Sequence, residues 1–156
     1  MSPVRPVVVH VDVDQAPEVV YDFLDVLAAH ETFTDHMLRD WECSGPARGV
    51  GARARVTAVV AGRRESISIE VVAAERPLRI VERNTGAGGR RVAHGTYLLK
   101  ALPGGGTRVF FRYAWQSAPV SERLAAPVTR RLLRRGNERA LRRLADRLDG
   151  EPDGGA

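Results

Sequence analysis

Glu82 is a carboxylate whose place in the sequence puts it among apolar neighbours. In "PLRIVER", residues 77–83, an extended chain that turns Leu78 and Ile80 inward turns Glu82 inward as well. A carboxyl group held there loses hydration and its pKa rises unless a cation pairs with it, which suits it to proton transfer near neutrality. A rim residue paired with an arginine is the other reading. Tyr97 shares a strand face with Gly95 and Leu99, and Tyr113 shares one with Val109, Phe111 and Trp115. Glu82, Tyr97 and Tyr113 are therefore the candidate catalytic residues. For the two tyrosines and Trp115, plain amphipathic packing competes with the lining of a binding site.

The four histidines offer less. His10 falls with Asp12 on the polar face of an early strand, and His30 sits at a helix end. His36, beside Asp35, is placed near the mouth of any interior site, and His94 takes the opposite parity from Tyr97. All four read as structural. No HxxxH or HExxH pattern occurs, and Cys43 is the only cysteine, so neither a metal site nor a disulfide framework is expected. Cys43 reads as a small buried hydrophobe rather than a nucleophile. "TGAGGRR" lacks the GK[ST] ending and the following helix of a phosphate loop; it and "GPARGVG" read as turns between strands. No organic cofactor is implied.

The elements that must position these groups follow from periodicity. "VVVHVDV", residues 7–13, alternates as a strand with one buried face. Asp14 as N-cap, Pro17 in the first turn and the stripe Val19, Val20, Phe23, Leu24 and Leu27 predict a helix over 16–28, and "ETFTDHM" a second short one. From Leu38 to Gln116 the pattern is of six strands with short connections, which favours an antiparallel meander. "PGGG" supplies the positive φ for the last hairpin. A long helix follows, with Pro127 as a kink or restart and Gly150 as its end, and "EPDGGA", residues 151–156, reads as a frayed tail. Residues 1–150 form one α+β domain: 156 residues, 44% hydrophobic, suffice for one core.

Eight of the nineteen residues of "RRLLRRGNERALRRLADRL" are arginine, and the net charge is +5. Leu124, Val128, Leu132, Gly136, Ala140, Leu144 and Leu148 recur every four residues, a stripe that drifts roughly 40° per step. The arginines lie mostly opposite and read as a solvated face; the alternative is a non-enzymatic interaction protein that uses this basic helix on RNA, the ribosome or another acidic partner, and DNA is not expected because no helix-turn-helix or zinc spacing accompanies the charge. Gly136 and Ala140 are small where a core helix would carry Leu or Phe, so either another element approaches closely or a guest has room. The start, "MSPVRPVVVHVDVD", is too short and polar for a signal peptide, and no apolar run is long enough to span a membrane. The expectation is a cytoplasmic protein, monomer or homodimer.

The order strand, two helices, six strands, long helix resembles the helix-grip fold of the START/Bet v1-like (SRPBCC) superfamily, especially its polyketide cyclase/dehydrase-like branch. The resemblance spans about residues 5–148 and is carried by "VDQAPEVVYDFLDV", "GPARGVGARARV", "ERPLRIVERN", "HGTYLLKALPGGGTRVFF" and the closing amphipathic helix. It implies a curved antiparallel sheet of about seven strands around the C-terminal helix, clasping a cavity for a hydrophobic small molecule that is polyketide-, lipid- or quinone-like. With the alternation above, the implied lining is Val56, Ile69, Val71, Ile80, Tyr97, Phe111, Tyr113, Trp115, Leu132, Gly136 and Ala140. Some members of such a family close or dehydrate polyketide rings, a role that Glu82, Tyr97 and Tyr113 would serve here.

Overall fold

The computed structural model describes residues 4–150; the expected tail lies outside them. The chain runs β1 (Val7–Val13), α1 (Pro17–Leu24), a 3-10 turn (Leu27–His30), α2 (Glu31–Thr34), β2 (Leu38–Ser44), β3 (Arg53–Val60), β4 (Arg63–Glu75), β5 (Arg79–Gly86), β6 (Arg91–Ala101), β7 (Thr107–Ser117), α3 (Val120–Leu124) and α4 (Ala126–Gly150). The strands form one antiparallel sheet in the order β1-β7-β6-β5-β4-β3-β2, so β1 returns beside the last strand. This is the helix-grip arrangement.

Period two carries through the register. Val7, Val9 and Val13 are buried on β1, as are Val109, Phe111 and Trp115 on β7. Pairing aligns two inward rows across strands: Ile80, Tyr97, Phe111 and Val9, and beside it Val71, Glu82, Gly95, Tyr113 and Val7. Short turns fix this register. Ala61 and Gly62, both at positive φ, join β3 to β4 as a two-residue hairpin, and Gly104 and Gly105 do the same service within the longer β6–β7 loop.

The helices differ from expectation at their ends. The predicted 16–28 helix stops at Leu24, and the chain tightens into the 3-10 turn before α2. Its N-cap is Ala16 with no side-chain bond, not Asp14; the Asp14 N–H instead donates to Asp149 (2.9 Å) and the Gln15 amide to Leu148 O (3.1 Å). These two bonds pin the C-terminal end of α4 to the β1–α1 passage.

Helix α4 buries Asn137, Ala140, Leu141, Leu144 and Ala145. The stripe expected to extend back to Leu124 does not pack. Leu124 is 81% exposed, Val128 62% and Leu132 38%. The drift of a four-residue step accounts for it: from Ala140 back to Leu132 the helix turns about 80°. Leu133 packs against the core instead. The first half of α4 runs along the free edge of β1, where the Arg130 guanidinium donates to the carbonyls of Arg5 and Pro6 and that of Arg134 to Val8 O. Part of the arginine face thus covers a sheet edge that would otherwise offer unpaired carbonyls.

Candidate functional site

Glu82 projects from β5 into the interior, 5% exposed, opposite Gly95 on β6 and Val71 on β4. No arginine reaches it, and its Oε2 is buried without a hydrogen-bond partner among the described residues. Loss of hydration pushes the carboxyl pKa up to about 8. The rim-residue reading is therefore replaced by a buried, uncharged acid.

The group nearest to it is one that periodicity did not single out. His30 ends the 3-10 turn, is 2% exposed, and brings Nδ1 to 3.5 Å from Glu82 Oε2. Its Nε2 lies 2.7 Å from Leu24 O. A carbonyl only accepts, so Nε2 carries the hydrogen and Nδ1 is the acceptor. Burial lowers the imidazole pKa to about 4, with the Leu24 bond a smaller opposing effect. The ring is held among aromatics: Phe33 at 5.2 Å between centroids, Tyr97 edge-on at 5.5 Å and Trp41 at 6.3 Å. Burial, and secondarily the carboxyl of Glu82, raise the Tyr97 phenol well above its ordinary value. Glu82, His30 and Tyr97 form one uncharged cluster near neutral pH.

Two strands from Glu82, Tyr113 is half-buried and stacks edge-on against Trp115 at 4.7 Å. Burial pushes its phenol up to about 12. Within its electrostatic reach lies the Arg91 cluster, where the Arg91 guanidinium donates to Glu65 on β4 (2.7 Å) and in a forked pair to Glu122 on α3. Arg91 ties α3 to the end of the sheet beside Tyr113.

The other predicted lining residues divide. Val56, Ile69, Val71, Ile80, Tyr97, Phe111, Trp115 and Ala140 are all buried. Leu132 stands on the outer side of α4. Gly136 meets Met37, whose sulfur would lie 2.9 Å from an added Cβ, so close approach explains this glycine rather than room for a guest. Cys43, expected to be buried, is exposed on the edge strand β2. His36 is held by α4: its ring bonds Gly136 O at 2.9 Å and accepts from Arg143 at 2.9 Å.

Two open surface grooves are also present. One, about 660 Å³, is lined by polar and charged groups of α2, the turn after it and α4, among them Glu31, Asp35, His36, Arg139 and Arg143. The other, about 480 Å³, crosses β2 to β5 and includes Ile69 alone of the predicted lining. Among the described residues no group of three or more His, Cys, Asp or Glu side chains could hold a metal ion, and no helix is long and apolar enough to cross a membrane.

A family model described as "Polyketide cyclase / dehydrase and lipid transport" matches residues 4–149. The chain belongs to this family. Solved structures share the fold at low identity. The Zhui aromatase/cyclase from Streptomyces sp. R1128 matches with a TM-score of 0.77 at 16% identity, over 97% of this chain and 98% of its own. The protein TTHA0849 from Thermus thermophilus gives 0.75 at 21%, over 92% and 97%. A START superfamily protein from Mycobacterium smegmatis gives 0.76 at 12%, over 94% and 99%. No curated protein sequence matches the chain at a significant level. Family and fold together point to a hydrophobic ligand-binding role.

Proposed function

We propose that this polyketide cyclase/dehydrase family member takes up a mostly apolar small molecule, polyketide-, lipid- or quinone-like, between the inner face of its sheet and α4. The observation that carries the reading is Tyr113. Its phenol is enclosed enough for burial to push the pKa to about 12, yet the residue stays half-buried rather than sealed, on the same face as Trp115 and Phe111. An enclosed but reachable aromatic face with polar tips suits an apolar guest that carries a few oxygens. On this reading the inward residues of β3 to β7, from Val56 to Trp115, form the lining with Ala140.

Displacement of a fluorescent apolar probe by a panel of polyketide, quinone and fatty-acyl compounds tests this. Saturable displacement by at least one class is expected. A folded protein that binds neither the probe nor any compound refutes the reading.

The buried acid Glu82 favours a catalytic version, in which Glu82, Tyr97 and Tyr113 orient a bound polyketone and move its protons during ring closure or dehydration. Glu82→Gln and Tyr113→Phe should then change the product distribution from a polyketone substrate; unchanged products in both variants exclude those roles.

A further inference from the structure

His30 and Glu82 face one another from different elements with their polar atoms incompletely used. Glu82 Oε2 is buried and has no partner within hydrogen-bond distance among the described residues. His30 spends its N–H on Leu24 O, leaving the Nδ1 lone pair turned toward Glu82 at 3.5 Å, longer than an ordinary hydrogen bond. Phe33, Trp41 and Tyr97 set their rings around the His30 side of the pair. Orphaned polar atoms inside an aromatic shell are costly, and a ligand group that satisfies them recovers that cost.

The chemistry of the two atoms specifies the group. Burial favours the uncharged form of each. An uncharged carboxyl has one O–H to donate, and an uncharged imidazole with its hydrogen on Nε2 has one lone pair on Nδ1 to accept. A hydroxyl group satisfies both at once, accepting from Glu82 and donating to His30. A ketone accepts but cannot donate to Nδ1, and a hydrocarbon does neither. A carboxylate would bring negative charge to an interior whose buried polar side chains among the described residues are His30, Thr34, Glu82, Thr107 and Asn137, with no arginine or lysine.

We propose that the His30–Glu82 couple is the polar pole of the ligand site and selects a neutral hydroxyl, phenolic or enolic, carried on an otherwise apolar ring system. This rests on the interior binding proposed above. The remainder of the ligand extends toward Tyr113 across the Phe111 ring, which itself fills the space over Gly95 and offers an aromatic surface.

The test is a comparison of naphthalene, 2-naphthol and 2-naphthoate by calorimetry, against the wild-type protein and the Glu82→Leu and Glu82→Gln variants. At about pH 6.5 the naphthol, His30 and Glu82 are all uncharged. The wild-type protein should prefer 2-naphthol to both other compounds by about tenfold or more. In Glu82→Leu the preference over naphthalene should fall to about twofold or less with naphthalene affinity retained. In Glu82→Gln, whose amide still donates, an intermediate preference should remain. Independently of any variant, the His30 Nδ1 resonance of the wild-type protein should shift on adding 2-naphthol and stay put on adding naphthalene. Binding of naphthol and naphthalene with equal affinity, a preference for naphthoate, or a stationary Nδ1 resonance overturns the hydroxyl pole while leaving interior binding standing. Failure of all three compounds to bind the folded protein overturns both.

Discussion

Nδ1 of His30 and Oε2 of Glu82 lie 3.5 Å apart in the interior, and burial moves the two groups in opposite directions, the imidazole pKa down to about 4 and the carboxyl up to about 8. Each therefore leaves its own mark on stability. The folded state holds the Glu82 proton more tightly than the unfolded chain, whose carboxyl titrates near 4.5, so this residue weakens the fold as pH rises from there to about 8. His30 does the reverse: the unfolded chain takes up its proton first, and stability is lost as pH falls from 6.5 through about 4. Glu82→Gln removes the first effect and keeps the second. Relative to wild type, the variant should gain roughly 2–4 kcal/mol of stability between about pH 5 and pH 9 in urea denaturation. Parallel pH profiles for the two proteins would show that Glu82 is not a raised-pKa acid.

Arg91 carries three charge-assisted hydrogen bonds that join β4, β6 and α3. Its side chain is only 15% exposed, so removal leaves two carboxylates close together and poorly hydrated. Arg91→Met should lower stability by about 2–4 kcal/mol. Arg91→Lys should restore less than half, because an ammonium cannot fork onto Glu122 while reaching Glu65. Thermal melts of both variants measure this, and full rescue by lysine would show that charge alone matters there.

Gly95 has no side chain because Phe111 occupies the space. A Cβ would meet Phe111 Cζ at 2.9 Å and Asn84 Nδ2 at 3.4 Å. Gly95→Ala should destabilise by about 1–3 kcal/mol through overpacking. Combined with Phe111→Leu it should cost measurably less than the sum of the two single changes, since the smaller side chain removes the clash. Additive losses in a double-mutant cycle would place the strain elsewhere.

The arginines of α4 divide into those that hold the fold and those that face solvent. Arg130 and Arg134 donate to edge carbonyls around β1. Arg130→Ala with Arg134→Ala should cost about 1–2 kcal/mol and speed hydrogen exchange along β1. Arg131→Ala with Arg142→Ala, both exposed, should stay within about 0.5 kcal/mol of wild type. Equal effects from the two pairs would deny Arg130 and Arg134 their structural role.

Glu82 could be located from the sequence because β5 is regular from Arg79, so that parity from Ile80 holds, although Leu78, expected inward with them, precedes the strand and is exposed. His30 could not: it lies in a 3-10 turn between two short helices, where neither a period of 2 nor of 3.6 operates, and its partner is 52 positions away along the chain. Cys43 failed for a related reason. It pairs with the buried Ala54, yet β2 is an edge strand and its end, Glu42 to Ser44, is exposed. Leu132 shows the limit of a helical stripe, since a step of four followed over many turns walks off the buried face. The order of elements was legible throughout, because strand alternation and glycine turns are local signals.

The two rims of the sheet are treated differently. One is occupied by the guanidinium groups of α4. The other, β2, breaks register between Arg39 and Glu42, turns Asp40 to a φ of 55°, and presents charged side chains. A sister molecule arriving edge-on meets carbonyls already bonded on one side and a crooked, charged ribbon on the other. Each rim thus carries its own obstacle to growth by strand addition, one made of side chains and the other of shape.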